Sequence, residues 1–197
     1  MIRLGITGGI GSGKSVVSEI LKIKGIPVYN ADTEAKRLMV EDEELRHQLM
    51  QLLGDDIYFE NGTLDKKKVA SKIFSNPTLL QKVNQTVHPA VGKDFLRWEQ
   101  KQAQQSKNII AMESAILFES NLNMQFDKTL LVYAPLEVRV KRVMLRDAAT
   151  LEQVQARIKN QSDEESKRSK ADFVVENDNQ QALLPQINQV LSQILPK

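Results

Sequence analysis

The sequence predicts an α/β protein: a parallel sheet flanked by helices, interrupted by a helical insertion and carrying a basic helical segment. Three observations predict it. Short apolar runs recur at residues 2–7, 108–112, 128–133 and 173–176, as strands buried on both faces require. Segments with helical periodicity separate them. Gly8-Gly-Ile-Gly-Ser-Gly-Lys-Ser15 fills the spacing G-x-x-x-x-G-K-[ST] directly after the first run, the position a phosphate-binding loop needs between a strand and a helix.

Ile2–Thr7 reads as the first strand, and Lys14 to Lys24 as the first helix, ended by Gly25. Ile26 to Asn30 reads as the second strand; Pro27 argues against a central place for it. Asp32 or Thr33 is placed to cap a helix from Glu34 to Val40. No core strand is predicted from Asp32 to Lys107. Helical patterns cover 43–53, 66–74, 77–87 and 89–105, with Leu45, Leu49 and Leu52 on one face and Leu79, Val83 and Thr86 on another. Asn61-Gly62 marks a hairpin tip or a plain loop. The sheet resumes at Asn108 to Met112 and Lys128 to Tyr133, followed by a helix from Pro135 to Arg146. Thr150-Leu-Glu-Gln153 forms a capping box for a helix to about Asn160. A charged helix is predicted over Ser162 to Lys170. The last strand is Phe173 to Glu176. Gln180 to Leu195 closes the chain as an amphipathic helix, with Leu183, Leu184, Ile187, Val190, Leu191 and Ile194 inward. The predicted division is a core of 1–31, 108–138 and 171–197, an insertion of 32–107 and a basic cover of 139–170.

The 197 residues suffice for one well-buried α/β core with an insertion. Hydrophobic content of 41% and charged content of 26% are those of a water-soluble globular chain. Without cysteine there is no disulfide and no thiolate metal site, in keeping with a reducing, cytoplasmic location. No signal peptide and no membrane span are expected, since no run approaches the ~18 apolar residues a span needs. A net charge of +2 and 5% aromatics give no basis for a nucleic-acid partner.

The loop is the strongest functional signal and implies a P-loop NTPase-type sheet. Its glycines let backbone N–H groups turn onto an anion, and the following helix adds its dipole. Lys14 reaches the β- and γ-phosphates of a nucleotide such as ATP, and the Ser15 hydroxyl holds Mg²⁺. Asp32, just past the second strand, lies at a carboxyl end, where open parallel sheets bind ligands. If the second strand lies near the first, Asp32 faces the γ-phosphate and can accept a proton from an attacking hydroxyl; the other reading is a helix cap. Arg139, Arg142 and Arg146, at i, i+3 and i+7, share a helix face. From Arg139 to Lys170 nine basic residues meet five acidic ones. That segment is either a cover that closes over transferring phosphate or a solvated surface. Glu113 at a strand exit either assists Mg²⁺ or is simply a polar strand end. His88 precedes Pro89, which biases it toward extended backbone; it touches an anionic substrate or satisfies a loop. His47 lies in a polar helix, and Trp98 reads as packing.

Several segments together resemble the dephospho-coenzyme A kinase family. These are Gly5 to Ser15, Val28-Tyr-Asn-Ala-Asp32, Gly62-Thr-Leu-Asp65, Val87-His-Pro-Ala-Val91, Ile116-Leu-Phe-Glu119, and Gln161 with Lys167-Arg168, Ala171-Asp172 and Val174-Val-Glu-Asn177. The resemblance implies ATP-dependent phosphorylation of the ribose 3′-hydroxyl of dephospho-coenzyme A, the last step of coenzyme A synthesis. It implies Asp32 as the base and Gly11, Ser12, Gly13, Lys14, Ser15 and Val16 around the ATP phosphates. Arg142 and Arg146 would act from a lid, and Asn177 would lie near the adenine. The insertion would bind dephospho-coenzyme A, with Lys66 and His88 as candidate contacts. The chain departs from the family at Val16 (usually Thr), Asn30 (usually Asp), Lys66 (usually Arg) and Ala115 (usually Pro). The alternatives are a kinase with the same core acting on another nucleotide or small metabolite, and a nucleotide-dependent switch. The chain lacks the N-K-x-D and D-x-x-G motifs of a switch.

Overall fold

The computed structural model describes residues 1–74, 76–159, 161 and 163–195. The expected helix end at Asn160, the expected start at Ser162, and Pro196 and Lys197 lie outside them. Two compact units form: residues 1–30 with 102–197, and residues 31–101.

The first unit holds a five-stranded parallel sheet of order β2-β3-β1-β4-β5, with β1 Ile2–Thr7, β2 Val28–Asn30, β3 Ile109–Glu113, β4 Lys128–Tyr133 and β5 Phe173–Glu176. β1 is central. It pairs with β3 from Ile2↔Ile109 to Ile6↔Glu113 and with β4 from Leu4↔Lys128 to Thr7↔Leu131. β2 is an edge strand, as Pro27 requires, because proline cannot donate to a second neighbour. β3 stands between β2 and β1, so the second strand lies one strand removed from the first. The chain leaves β1 toward β3 and β2 on one side and returns to β4 and β5 on the other. This makes the carboxyl end of β1 the switch point where such sheets bind ligands.

Helices α1 (Lys14–Ile23) and α9 (Leu183–Ile194) contribute Val17, Leu21, Ile187, Val190, Leu191 and Ile194 to a core with Leu4, Ile6, Ala111, Val132 and Val175. The closing helix begins three residues later than predicted, and Leu184 is 51% exposed instead of inward. Between β4 and β5 lie α6 (Leu136–Asp147), α7 (Leu151–Lys159) and α8 (Glu164–Lys170). The capping box of α7 is present: Gln153 N donates to Thr150 Oγ1 at 3.4 Å and Thr150 N to Gln153 Oε1 at 3.1 Å.

The second unit is helical: α2 (Ala31–Glu41), α3 (Glu43–Leu53), α4 (Lys66–Phe74) and α5 (Pro77–Gln104), the last running to residue 101 within this unit. Asn61-Gly62 does form a tip, closed by an antiparallel bridge between Tyr58 and Leu64. The inward face of α3 is Leu45, Leu49 and Leu53, with Leu52 only half-buried. Two predicted helices are one. α5 runs through Pro89 because Val83, Val87, Val91 and Phe95 form one buried stripe. Four such side chains at about 1.5–3 kcal/mol each outweigh the ~3 kcal/mol a helix-interior proline costs. Pro89 and Gln85, whose carbonyl loses its donor, are both exposed, so water can serve that carbonyl. Arg37 donates to Glu34, Glu41 and Asp94, joining α2 to α5.

Candidate active site

The loop between β1 and α1 is shaped by its own backbone and by what lies against it. Gly13 caps α1 in the left-handed region, with φ 94° and ψ 25°. A Cβ there would be strained, and it would also collide with the Asn177 amide. Ser12 N donates to Gly9 O at 3.1 Å, and Ile10 N donates to Gln161 Oε1 at 2.8 Å. The amides of Gly11, Gly13 and Ser15 bond to no other group among the described residues. They are the donors that a helix start and a glycine loop offer to an anion. Lys14 Nζ donates to Gly8 O at 2.8 Å and to Gly9 O at 3.3 Å, which holds a cation inside the loop.

The three arginines of α6 do not act as one surface. Arg139 is 6% exposed, its Nε donating to Ala134 O at 3.1 Å and its guanidinium lying where a Cβ at Gly9 would be. Arg142 Nη1 donates to Gly11 O and Ser12 O, both at 3.4 Å, and Nη2 to Asn177 Oδ1 at 3.2 Å and Asn179 Oδ1 at 2.5 Å. Asn177 Nδ2 donates to Ser12 O at 2.7 Å. Arg142 and Asn177 thus clasp the loop through its carbonyls, which leaves the amides for a ligand. Asn177 is placed by β5: its N–H donates to Tyr133 O at 2.8 Å, past the strand end. Arg146 instead bonds Asp147 at 2.8 and 3.1 Å on the surface. There it, with Arg157, holds the Asp147 carboxyl down at about 2.

Glu113 is 7% exposed and accepts from Ser18 Oγ at 2.8 Å and Asn30 Nδ2 at 3.0 Å. The end of β3 is so tied to α1 and to the end of β2. Two residues beyond Asn30, Asp32 stands exposed in the first turn of α2. The helix starts at Ala31, so neither Asp32 nor Thr33 is its cap, and the capping reading is corrected. A carboxylate in that turn is favoured by the positive helix end. In the helical unit, Lys66 is exposed at the start of α4, followed by Lys67 and Lys68, with no acid in the first turn. That is the electrostatically wrong end for three cations. Asp65 caps this helix, accepting from Lys68 N at 3.0 Å. His88 is helical, not extended, and burial pushes its pKa below the usual histidine range. It does not line the cavity of about 310 Å³ that Leu45, Gln48, Pro89, Lys93 and Arg97 help to wall. His47 meets Gln51 at 2.9 Å, and Trp98 stacks on Phe95.

The sequence matches the dephospho-CoA kinase family profile over residues 2–182. The chain belongs to the dephospho-CoA kinase family. It is 42% identical over 196 residues to the dephospho-CoA kinase of Bacteroides fragilis, covering 100% of this chain and 94% of that protein. To that of Porphyromonas gingivalis it is 42% identical over 198 residues, covering 100% and 96%. Among solved structures, TT1252 from Thermus thermophilus superposes with TM-score 0.81 at 35% identity, over 98% of this chain and 95% of that one. Dephospho-CoA kinase from Campylobacter jejuni gives 0.70 at 26% identity, over 98% and 96%. Shikimate kinase from Aquifex aeolicus, at 17% identity and TM-score 0.53, shares the fold. The fold is that of a P-loop kinase.

One departure from the family acquires a physical sense. Asn30, where the family usually has Asp, donates its amide to the buried Glu113 side chain; an Asp in its place would have no N–H to donate to that acceptor. Val16 is 51% exposed. Sequence reasoning gave no role to Gln161, Glu119, Glu164, Lys167 or Asn179. A signal for two of them, Glu164 and Lys167, existed: residues 164–170 contain no apolar side chain, and a helix without an apolar face that still packs must bury charged groups.

Proposed function

We propose that the chain transfers the γ-phosphoryl group of ATP to the ribose 3′-hydroxyl of dephospho-CoA, completing coenzyme A in the cytoplasm. The observation that carries this is a phosphate loop with free amides at Gly11, Gly13 and Ser15, clasped from behind by Arg142 and Asn177, in a chain that matches this family along its length. Lys14 would exchange its carbonyl partners for phosphate oxygens. Arg142 would bring its guanidinium to the charge that spreads during transfer, a role planar forked donors suit.

Asp32 would accept the proton of the attacking hydroxyl. The residues also suit Mg²⁺. The Ser15 hydroxyl bonds to no other group among the described residues, and buried Glu113 offers a carboxylate at the neighbouring strand end. A metal of this kind is held by few protein oxygens plus substrate phosphates, and supplies charge neutralisation there. The unit of residues 31–101 would take the acceptor. Lys66, with Lys67 and Lys68, crowds positive charge at a helix start, which an anionic ligand would relieve. His88, whose charged form burial disfavours, would contribute a hydrogen-bonding group. No helix among the described residues is long and apolar enough to cross a membrane.

The test is ADP release from ATP with and without dephospho-CoA. A rise of several orders of magnitude on adding this acceptor, and not on adding shikimate or nucleosides, is expected. Acceptor-independent turnover, or preference for another alcohol, would overturn the assignment.

A further inference from the structure

α8 has seven residues and none is apolar, yet it is seated against the loop. Lys167 is 1% exposed. Burying an ammonium group costs several kcal/mol even after relaxation. Lys167 Nζ meets Glu119 Oε1 at 3.0 Å and Glu164 Oε1 at 3.6 Å as ion pairs, with no hydrogen bond of good geometry among the described residues. Glu119 belongs to the segment that leaves β3. Glu164 is 7% exposed, and both its oxygens are buried without a hydrogen-bond donor among the described residues. Its Oε1 lies 2.7 Å from where a Cβ at Gly9 would stand, and the buried Arg139 guanidinium would collide with that same Cβ. One residue on, Ile10 N donates to Gln161 Oε1 at 2.8 Å.

Two cations and two anions from three chain segments therefore converge beneath Gly8-Gly9-Ile10. The set has no net charge, so it does not recruit phosphate by long-range attraction. What it fixes is position. Neutralising Lys167 leaves Glu164 buried without its cation, and the segment above it is the one whose carbonyls hold Lys14.

We propose that the buried Lys167, Glu164 and Arg139, with Glu119 at their rim, form a positioning unit that sets the Gly9–Ile10 geometry of the phosphate loop for ATP. Lys167 is a positioning residue here, acting through the loop. The proposal rests on the kinase reading for its kinetic readout, and direct ATP titration separates the two: inactivity of the wild type toward dephospho-CoA would sink that reading and leave the titration valid.

The experiment compares wild type, Lys167→Met and Glu119→Gln by ATP titration and by steady-state kinetics. Lys167→Met removes the charge at similar length. We expect ATP to bind about tenfold more weakly, with an equal rise in its KM, while the KM for dephospho-CoA stays put. Glu119→Gln preserves shape, and a smaller loss in the same direction is expected. A lowered melting temperature with unchanged ATP affinity overturns the proposal, because that is what a merely structural ion pair gives. So does an equal change in both KM values. If Lys167→Met does not fold, Glu119→Gln decides alone, and unchanged ATP affinity in it overturns the proposal.

Discussion

The phosphate loop and the helical unit use charge in opposite ways. Around the loop, charged groups work on backbone: the half-buried Lys14 and Arg142 donate to loop carbonyls, and Arg139 is 6% exposed beneath Gly9. In residues 31–101 the charges ring the surface, as with Arg37 among Glu34, Glu41 and Asp94, or Asp56 between Lys68 and Lys72. Exposed pairs of that kind contribute little to stability. The contrast fits the proposed division, in which fixed amides would read the nucleotide and side chains of the helical unit would read the acceptor.

The sharpest way to break this division is Asp32→Asn. If Asp32 is the base, turnover with dephospho-CoA falls by about 10²–10⁴-fold, while ATP titration is unchanged because no loop group is touched. Retention of near wild-type turnover would remove the carboxylate from the chemistry and leave the helical unit with binding alone.

Lys14→Ala tests the other side. A cation fixed inside the loop is the counterpart of a preorganised transition-state donor, so kcat/KM should fall by about 10²–10³-fold. The loss should be the same for any acceptor. A loss that depended on the acceptor would mean the loop and the helical unit do not divide the substrates as proposed.

The two regions also differed in how well they could be read from sequence. The loop, β1 and α1 were legible because eight consecutive residues encode them and their neighbours are local. The edge place of β2 followed from Pro27, and the capping box from Thr150 and Gln153. What stayed hidden depended on packing at a distance. Pro89 reads as a helix break until the stripe Val83, Val87, Val91 and Phe95 is seen to be buried as a whole. Asp32 reads as a base or as a cap, and the start of the helix at Ala31 removes the second reading. The burial of Glu164 and Lys167 needs Glu119, more than forty residues away, to make sense of it. Leu184 follows the apolar pattern and is nonetheless exposed, because its turn begins the helix at the rim of the core.

Lys66→Ala sharpens the acceptor side. Losing one charge-assisted contact at about 1.5 kcal/mol corresponds to about tenfold in affinity. The expected result is a tenfold rise in the KM for dephospho-CoA with kcat and ATP binding unaltered. Removing a cation from the start of α4 should also stabilise that helix slightly in the absence of ligand. A fall in melting temperature without a change in KM would place Lys66 in the fold of its unit and not in acceptor binding.

The smallest effects compare one helix cap from each unit. Asp42 accepts from Leu45 N at 2.9 Å at the start of α3, and Thr150 exchanges bonds with Gln153 at the start of α7. Replacing either by Ala costs about 1 kcal/mol, which moves amide exchange by about fivefold. Neither side chain touches the loop, so ATP affinity should hold in both. In Asp42→Ala the faster exchange should stay within residues 31–101, and in Thr150→Ala within the sheet-bearing unit, since each cap serves only its own helix and the core beneath it. Exchange that rose equally across both units in either variant would mean that they open as one cooperative block. Backbone-read nucleotide and side-chain-read acceptor would then be two faces of a single folding unit, and the stability of each site could not be tuned without the other.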